Sequence, residues 1–153
     1  YLALWCGIAN GAEDILLPEK YDFDEQKIIN NIIDNRKKGK KHHIIINAEG
    51  IGHSEAMAKR IEAATGIETR ATILGHMQRG GTPTCKDRVY ASIMGAKAVD
   101  ILLEGKSKRV ICYRDGEYID MDINEALAMK KGISEYQYEV SYSLSHNYSK
   151  NNE

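Results

Sequence analysis

Apolar residues recur along the chain in two patterns, one typical of helices and the other of buried strands. Isoleucines at positions 28, 29, 32 and 33 follow helical spacing, with Asp24 before them as a candidate cap and Gly39 at the end of the helix. Residues 43–48, HIIINA, form a continuous run centred on three isoleucines, which is typical of a strand covered on both faces. Because the two patterns alternate, the chain is predicted to mix helices and strands.

Extended to the whole chain, these patterns predict the element order αβαβαβαββα. Helices are expected at residues 2–9, 24–39, 54–64 and 83–103, with a last one beginning at Asp122 or Asn124, and strands at residues 15–17, 43–48, 68–74, 110–113 and 118–121. The last two strands flank Asp115-Gly116 and form a hairpin, whereas residues 141–153 are predicted to be a frayed polar tail. Strands separated by helices predict an α/β domain with a mainly parallel sheet.

Length, composition and charge exclude several classes of protein. A chain of 153 residues, 42% hydrophobic and 28% charged, can bury its own core and has the composition of a globular domain. Its formal net charge of −1 gives no overall attraction for nucleic acid or a membrane, and no apolar run is long enough to span a bilayer. The odd, scattered set of Cys6, Cys85 and Cys112 predicts buried free thiols in a reducing cytoplasm.

The residues after Leu74 include the densest group of side chains that could bind a ligand or take part in a reaction. Ligands of parallel α/β sheets bind outside the carboxyl ends of the strands, and the segment GHMQRGG follows a predicted strand there. His76 and Arg79 are three residues apart and can face a common phosphate, for which a guanidinium offers paired donors. Arg70, on the preceding strand, can supply a second guanidinium. On the residues alone, a solvated turn is an equally good interpretation.

Two further features point to ligands. Glu49 ends the HIIINA strand beside Gly50 and Gly52, where its carboxylate can accept hydrogen bonds from sugar hydroxyls, although a surface Glu is the simpler interpretation. Residues 36–43, RKKGKKHH, are strongly basic in an otherwise neutral chain. This run is either a solvated helix end or a compact phosphate site, and it lacks the interleaved aromatic residues of a single-strand binding surface. The adjacent histidines are a weak metal signal, since neighbours on a strand point to opposite sides.

Three segments of the chain together resemble a known family. They are LALWCGIANGAEDILLPE, KKGKKHHIIINAEGIG and GIETRATILGHMQRGGTPTCKDRVYASIMGAKAVDILLEGK, in that order. They resemble the C-terminal half of bacterial-type ATP-dependent 6-phosphofructokinase, and the similarity extends through the hairpin to INEALAMKKGI. The resemblance implies a three-layer, Rossmann-like domain in which residues 1–153 are the substrate- and effector-binding half and the ATP-binding N-terminal half is absent.

The resemblance also implies an activity and a set of substrate-binding residues. It implies a cytoplasmic enzyme of glycolysis, usually a homotetramer, that transfers the γ-phosphoryl group of ATP, with magnesium, to fructose 6-phosphate. In the family's pattern Glu49 holds the sugar hydroxyls, and Arg70 reaches the sugar phosphate across a subunit interface. The substrate-binding segment of the same subunit consists of His76, Met77, Gln78 and Arg79, with His76 and Arg79 on the sugar phosphate.

An allosteric site for ADP or phosphoenolpyruvate is implied as well. The residues of this chain that match it are Gly11, Ala12 and Glu13, and Lys38, Lys40, Lys41 and His42 of the basic run. The family's pattern places Glu13 near the magnesium ion that accompanies the effector.

The catalytic residues of the family have no counterpart here. Neither its glycine-rich ATP loop, GGDGS, nor its catalytic segment, TIDND, occurs in the chain, which opens at Tyr1 and looks cut from a longer protein. Phosphoryl transfer needs in-line positioning, a metal and an acceptor for the hydroxyl proton, so the chain alone is expected to be inactive. Two alternatives stay open: a free-standing, non-catalytic module that binds a phosphosugar or nucleotide, and a nucleic-acid or scaffold protein that uses the basic run.

Overall fold

The computed structural model of the chain describes residues 1–20, 24–130 and 132–145. These residues divide into two compact units, one made of the described parts of residues 1–73 and 132–153 and the other of residues 74–131. The elements, in chain order, are α1 (Leu2–Asn10), β1 (Asp14–Leu16), α2 (Glu25–Lys37), β2 (Ile45–Asn47), α3 (Ser54–Thr65), a 3₁₀ helix (Gly75–Arg79), α4 (Cys85–Leu103), β3 (Arg109–Arg114), β4 (Glu117–Asp122), α5 (Ile123–Ala128) and α6 (Glu135–Ser145).

The first unit is built on the parallel pair β1 and β2, in which Asp14 lies opposite Ile45 and Leu16 opposite Asn47. Its core consists of apolar side chains from β1, α2 and α3: Leu16, Ile28, Ile29, Ile32, Met57 and Ile61. The Asp24 side chain accepts a hydrogen bond from the Gln26 N–H at 2.9 Å and so caps α2 as predicted. The regularly spaced isoleucines of the sequence therefore form the face of α2 that packs into the core.

The second unit contains the 3₁₀ helix, α4, the hairpin and α5. Thr84 and Asp87 form a capping box that begins α4, two residues later than predicted. Strands β3 and β4 pair antiparallel, and the turn between them places Asp115 and Gly116 at φ 53° and 90°, as a tight hairpin turn requires. The predicted hairpin is confirmed.

Three predictions about elements need correction. No strand forms at residues 68–74, because a strand needs a hydrogen-bonded neighbour and none of the described residues pairs with this segment. The 43–48 strand is shorter, and its paired residues are half-buried instead of covered on both faces. Ser141–Ser145, predicted to be part of a frayed tail, form the end of α6, where Ser141 is buried; the remainder of that predicted tail, 146–153, lies outside the described residues.

Two tyrosines of helix α6 contact lysines elsewhere in the first unit. Tyr138 and Tyr142 lie one helical turn apart. The Nζ atoms of Lys20 and Lys27 lie 5.2 and 5.5 Å from the centroids of the Tyr138 and Tyr142 rings, respectively.

The cysteines are free thiols, as predicted, but they are not buried. All three cysteines are free thiols, but Cys6 and Cys85 are exposed and Cys112 is only half-buried.

Gly7 marks a close approach between α1 and β1. A Cβ atom at this position would lie 2.5 Å from Cγ1 of Ile15, well inside contact distance. We therefore expect Gly7→Ala to lower the free energy of unfolding by about 1–3 kcal/mol, because overpacking displaces the strand. Gly95, inside α4 with no atom within 4 Å of such a Cβ, is the matched control. Gly95→Ala should raise stability by up to about 1 kcal/mol; equal effects of the two variants in urea unfolding would contradict this account of Gly7.

An ion pair joins α2 to α3 in the same unit. Arg60 donates to both oxygens of Glu25 at 2.8 and 2.7 Å, and these hydrogen bonds hold the pKa of Glu25 below its usual 4.5. A lowered pKa in the folded state stabilises the fold above pH 4.5, and this stabilisation is lost as the pH falls through the folded value. Glu25→Gln should thus lower the melting temperature by up to about 3 °C at pH 7, and the difference should close in acid. A difference that stays constant down to pH 3 would contradict this assignment.

Candidate functional site

The residues predicted to bind substrate are divided between the two units. Glu49 is exposed in the turn that follows β2, and Arg70 is exposed in the extended segment after α3, where its guanidinium pairs with Glu68. His76, Met77, Gln78 and Arg79 lie in the second unit. The structure therefore groups the last four together, whereas Glu49 and Arg70 belong to the first unit.

The 3₁₀ helix presents two of these side chains together. Residues three apart lie one above the other in such a helix, so His76 and Arg79 share one side. Gly75, the first residue of the helix, and Gly81, two residues after its end, have positive φ values of 48° and 101°, which glycine adopts readily. In the part of the chain that the structure describes, no hydrogen bond or ion pair engages the His76 imidazole or the Arg79 guanidinium. Both groups are free to meet an anionic ligand.

The residues predicted to bind an effector all belong to the first unit. Gly11 ends α1 with left-handed backbone, φ 65°, and the Ala12 N–H donates to the Gly7 carbonyl at 2.9 Å. This turn directs Glu13 to the start of β1. Lys38 follows the last residue of α2, and Lys40, Lys41 and His42 connect that helix to β2.

Glu13 is the most enclosed ionisable group of this region. It is 5% exposed, accepts a hydrogen bond from the Ile44 N–H at 2.6 Å, and forms an ion pair with Lys40. Burial by itself raises the pKa of Glu13, but the hydrogen bond from Ile44 and the contact with Lys40 outweigh it and leave the pKa below its usual value. Glu13 is therefore a carboxylate that depends on a nearby cation.

Basic side chains line a cleft of about 300 Å³ beside this pair. Its basic lining residues are Arg36, Lys40, Lys41, His42 and His43. A second, smaller cavity of about 90 Å³ lies in the same unit, and its acidic lining residues are Glu13, Asp14 and Asp24. The cleft has a size that suits a small anionic ligand, so the phosphate site predicted for the basic run remains a prediction that this geometry favours.

Sequence reasoning missed the pair of Asp14 and His43. The Asp14 carboxylate lies 2.7 Å from Nε2 of His43, and both side chains are largely buried. The sequence assigns His42 to the predicted effector site and gives His43 no role beyond a weak metal signal; the described residues contain no group of three or more His, Cys, Asp or Glu side chains that could hold a metal. Nothing in the local sequence pattern signals a contact between residues so far apart.

Comparison with known proteins identifies the family. A sequence model of the family described as phosphofructokinase matches residues 1–102. The chain belongs to the phosphofructokinase family. The ATP-dependent 6-phosphofructokinase of Clostridium botulinum strain Loch Maree is 49% identical over 144 residues, which are 94% of this chain and 45% of that protein. The ATP-dependent 6-phosphofructokinase 1 of Clostridium perfringens strain 13 is 53% identical over 143 residues, 94% of this chain and 44% of that protein.

Solved phosphofructokinase structures share the fold. The crystal structure of Pichia pastoris phosphofructokinase in the T-state matches 94% of this chain and 16% of its own, with a TM-score of 0.70 and 28% identity. Phosphofructokinase from Saccharomyces cerevisiae matches 95% of this chain and 23% of its own, with a TM-score of 0.74 and 22% identity, which bears on the fold alone. The predicted phosphofructokinase-like α/β fold is confirmed. This phosphofructokinase chain spans less than half the length of the curated relatives it matches.

Within the described part of the chain, no helix is long and apolar enough to cross a membrane.

Proposed function

We propose that this chain is the substrate- and effector-binding half of an ATP-dependent 6-phosphofructokinase, a cytoplasmic enzyme that phosphorylates fructose 6-phosphate in glycolysis. The observation that carries the proposal is the near-complete match of the chain, at about half identity, to bacterial enzymes of that name. Residues 1–153 form the C-terminal half, and the ATP-binding half lies in the remainder of the protein.

The sugar phosphate binds at the 3₁₀ helix. The support for this step is that Arg79 and His76 share one side of that helix and that neither side chain has a partner among the described residues. A guanidinium offers two parallel donors to a phosphate, and the imidazole adds a third. Met77 and Gln78 complete the segment, and Glu49 accepts hydrogen bonds from the sugar hydroxyls. Arg70 acts from a neighbouring subunit, which requires an oligomer, most simply a homotetramer.

The effector site uses Glu13 with its neighbours and the basic loop, residues 38–44, which connects α2 to β2. ADP or phosphoenolpyruvate carries the anionic groups that the cleft residues Lys40, Lys41 and His42 attract, while Lys38 adds charge at the end of α2. Gly11 and Ala12 shape the turn beside it. Lys40 already neutralises Glu13, so a phosphate that takes Lys40 leaves a buried carboxylate without its cation.

Magnesium is a suitable cation to replace Lys40 beside Glu13. The ion prefers oxygen ligands and is bound through one or two carboxylates together with the ligand's own phosphates, so a single Glu13 carboxylate is an adequate protein ligand. Bound together with ADP, magnesium would supply the positive charge that Glu13 loses when Lys40 contacts the phosphate. Glu13 would hold the ion, and Lys38, Lys40, Lys41 and His42 would bind the phosphate groups.

The proposal is tested by comparing this chain with the complete protein that carries it. Fructose 6-phosphate and magnesium ATP are supplied, and fructose 1,6-bisphosphate is measured through a coupled assay. The complete protein should form the bisphosphate, and residues 1–153 alone should form none, because the ATP loop and the catalytic aspartate are outside them. Turnover by residues 1–153 alone would contradict the division of labour between the halves.

The mass of the native protein separates the kinase half from a free-standing binding module. An antibody raised to this chain should detect, in extract of the source organism, a species roughly twice the chain's 17.2 kDa. A native species of about 17 kDa alone would contradict the kinase proposal and favour the non-catalytic module.

A further inference from the structure

Two acid–base pairs fasten the basic loop to the start of β1. Glu13 forms an ion pair with Lys40, and its neighbour Asp14 contacts His43 at 2.7 Å. The backbone adds the Glu13 N–H to Ile44 carbonyl bond at 3.0 Å. Two consecutive carboxylates therefore hold one short segment, residues 40–44, at both of its ends.

The members of the two pairs line two different cavities. Glu13 and Asp14 line the smaller cavity, whereas Lys40 and His43 line the basic cleft. In each pair, therefore, the acid contacts a basic side chain that lines the cleft.

The pairs differ in how readily they can exchange partners. The Lys40 side chain is 34% exposed, so its ammonium can meet a ligand from the cleft. The side chains of His43 and Asp14 are only 9% and 14% exposed. A carboxylate only accepts, so Nε2 of His43 carries the hydrogen of the bond to Asp14. Nδ1 of His43 is buried and has no partner in the described ranges, which leaves Asp14 as the polar anchor of the ring.

We propose that Asp14 and His43 form a positioning pair, which keeps the basic loop in place while Lys40 exchanges Glu13 for the anionic group of an effector. The proposal rests on the effector site proposed above and deepens it. His43 lines the cleft, but its side chain is only 9% exposed and pairs with Asp14, so neither residue is assigned a contact with the effector. They act through Lys40 and Ile44. When the contact between Glu13 and Lys40 opens, the Asp14–His43 pair keeps Lys40 and Ile44 in position relative to Glu13.

The test measures effector affinity in five variants of the complete protein: His43→Ala, Asp14→Ala, His43→Gln, Arg60→Ala and Lys40→Ala. Dissociation constants for magnesium ADP and for phosphoenolpyruvate are obtained by calorimetry, and a melting curve is recorded for each variant. Loss of a buried, charge-assisted hydrogen bond should weaken ADP binding about 10-fold in His43→Ala and in Asp14→Ala. In His43→Gln the side-chain amide can still donate to Asp14, so binding should stay within about 3-fold of the unaltered protein.

Arg60→Ala is the matched control. It breaks another acid–base pair of the same unit, that of Glu25 and Arg60, which does not contact the basic loop. Arg60→Ala should lower the melting temperature without changing effector affinity. If His43→Ala binds ADP as tightly as the unaltered protein, or if Arg60→Ala weakens binding equally, the positioning role is wrong.

Failure of the pair and failure of the effector site give different results. An unaltered protein that binds neither ADP nor phosphoenolpyruvate overturns the effector site itself, and the positioning role with it. If the unaltered protein binds the effector and only Lys40→Ala weakens that binding, the effector site stands and the positioning pair alone is wrong. If Asp14→Ala does not fold, the comparison of His43→Ala with His43→Gln decides the question, since restored affinity in the glutamine variant requires the hydrogen bond.

Discussion

Replacing Arg79 by alanine should raise the concentration of fructose 6-phosphate needed for half-maximal velocity by roughly 100-fold. The guanidinium lies on the 3₁₀ helix beside His76 and has no partner among the described residues, so the substrate phosphate would be its first. Its removal takes away paired, charge-assisted donors from a phosphate that has already left water. The measurement is initial velocity against fructose 6-phosphate at saturating magnesium ATP.

Arg114→Ala is the control for this prediction. Arg114 is an exposed arginine of the same unit, at the end of β3, and its replacement makes the same change in charge and size. It should leave substrate saturation as it is. Unchanged saturation in Arg79→Ala would refute the assignment of the phosphate to the 3₁₀ helix, and an equal effect of the two variants would indicate a general electrostatic effect.

Replacing Lys40 by alanine should raise the concentration of ADP or phosphoenolpyruvate needed for half of the allosteric response by roughly 10- to 100-fold. The cleft loses an ammonium group that meets the effector. Because Lys40 leaves Glu13 when the effector binds, the lost ion pair belongs to the unliganded protein and does not add to this effect. The response is followed as initial velocity at subsaturating fructose 6-phosphate while the effector is titrated. Lys40→Arg keeps the charge and should recover most of the response.

Lys37→Ala provides the comparison for Lys40. Lys37 is also a lysine at the end of α2, but it is exposed and pairs only weakly with Asp34, at 3.2 Å. Its loss should not change the allosteric response. The velocity of Lys40→Ala is also measured without effector. If this velocity falls as much as the allosteric response does, the basic loop has a structural role.

Elements with strong local signals were predictable from the sequence. Helix α2 combines periodic isoleucines with the Asp24 cap, and the hairpin has Asp115-Gly116 between alternating strands, so each carries its own signal within a few residues. Residues 68–74 had the composition of a strand, but pairing is a contact with residues distant in sequence, which no local pattern contains. The sequence therefore predicted α2 and the hairpin better than the sheet, and it did not predict α6, whose last residues it assigned to a frayed tail.

The candidate sites divide in the same way. His76 and Arg79 are three residues apart and both lie on the 3₁₀ helix, so their shared side follows from local geometry. The contact of Glu13 with Lys40, and that of Asp14 with His43, each join residues almost thirty positions apart. Parallel pairing of β1 with β2 creates both contacts, and only the register of that pair determines which side chains meet.

The most direct test of the substrate site is a crystal structure of the complete protein with fructose 6-phosphate bound. The phosphate oxygens should lie about 3 Å from the guanidinium of Arg79 and from the imidazole of His76, with Arg70 of a neighbouring subunit on the same phosphate and Glu49 on the sugar hydroxyls. A phosphate that binds away from both Arg79 and His76 would contradict the account.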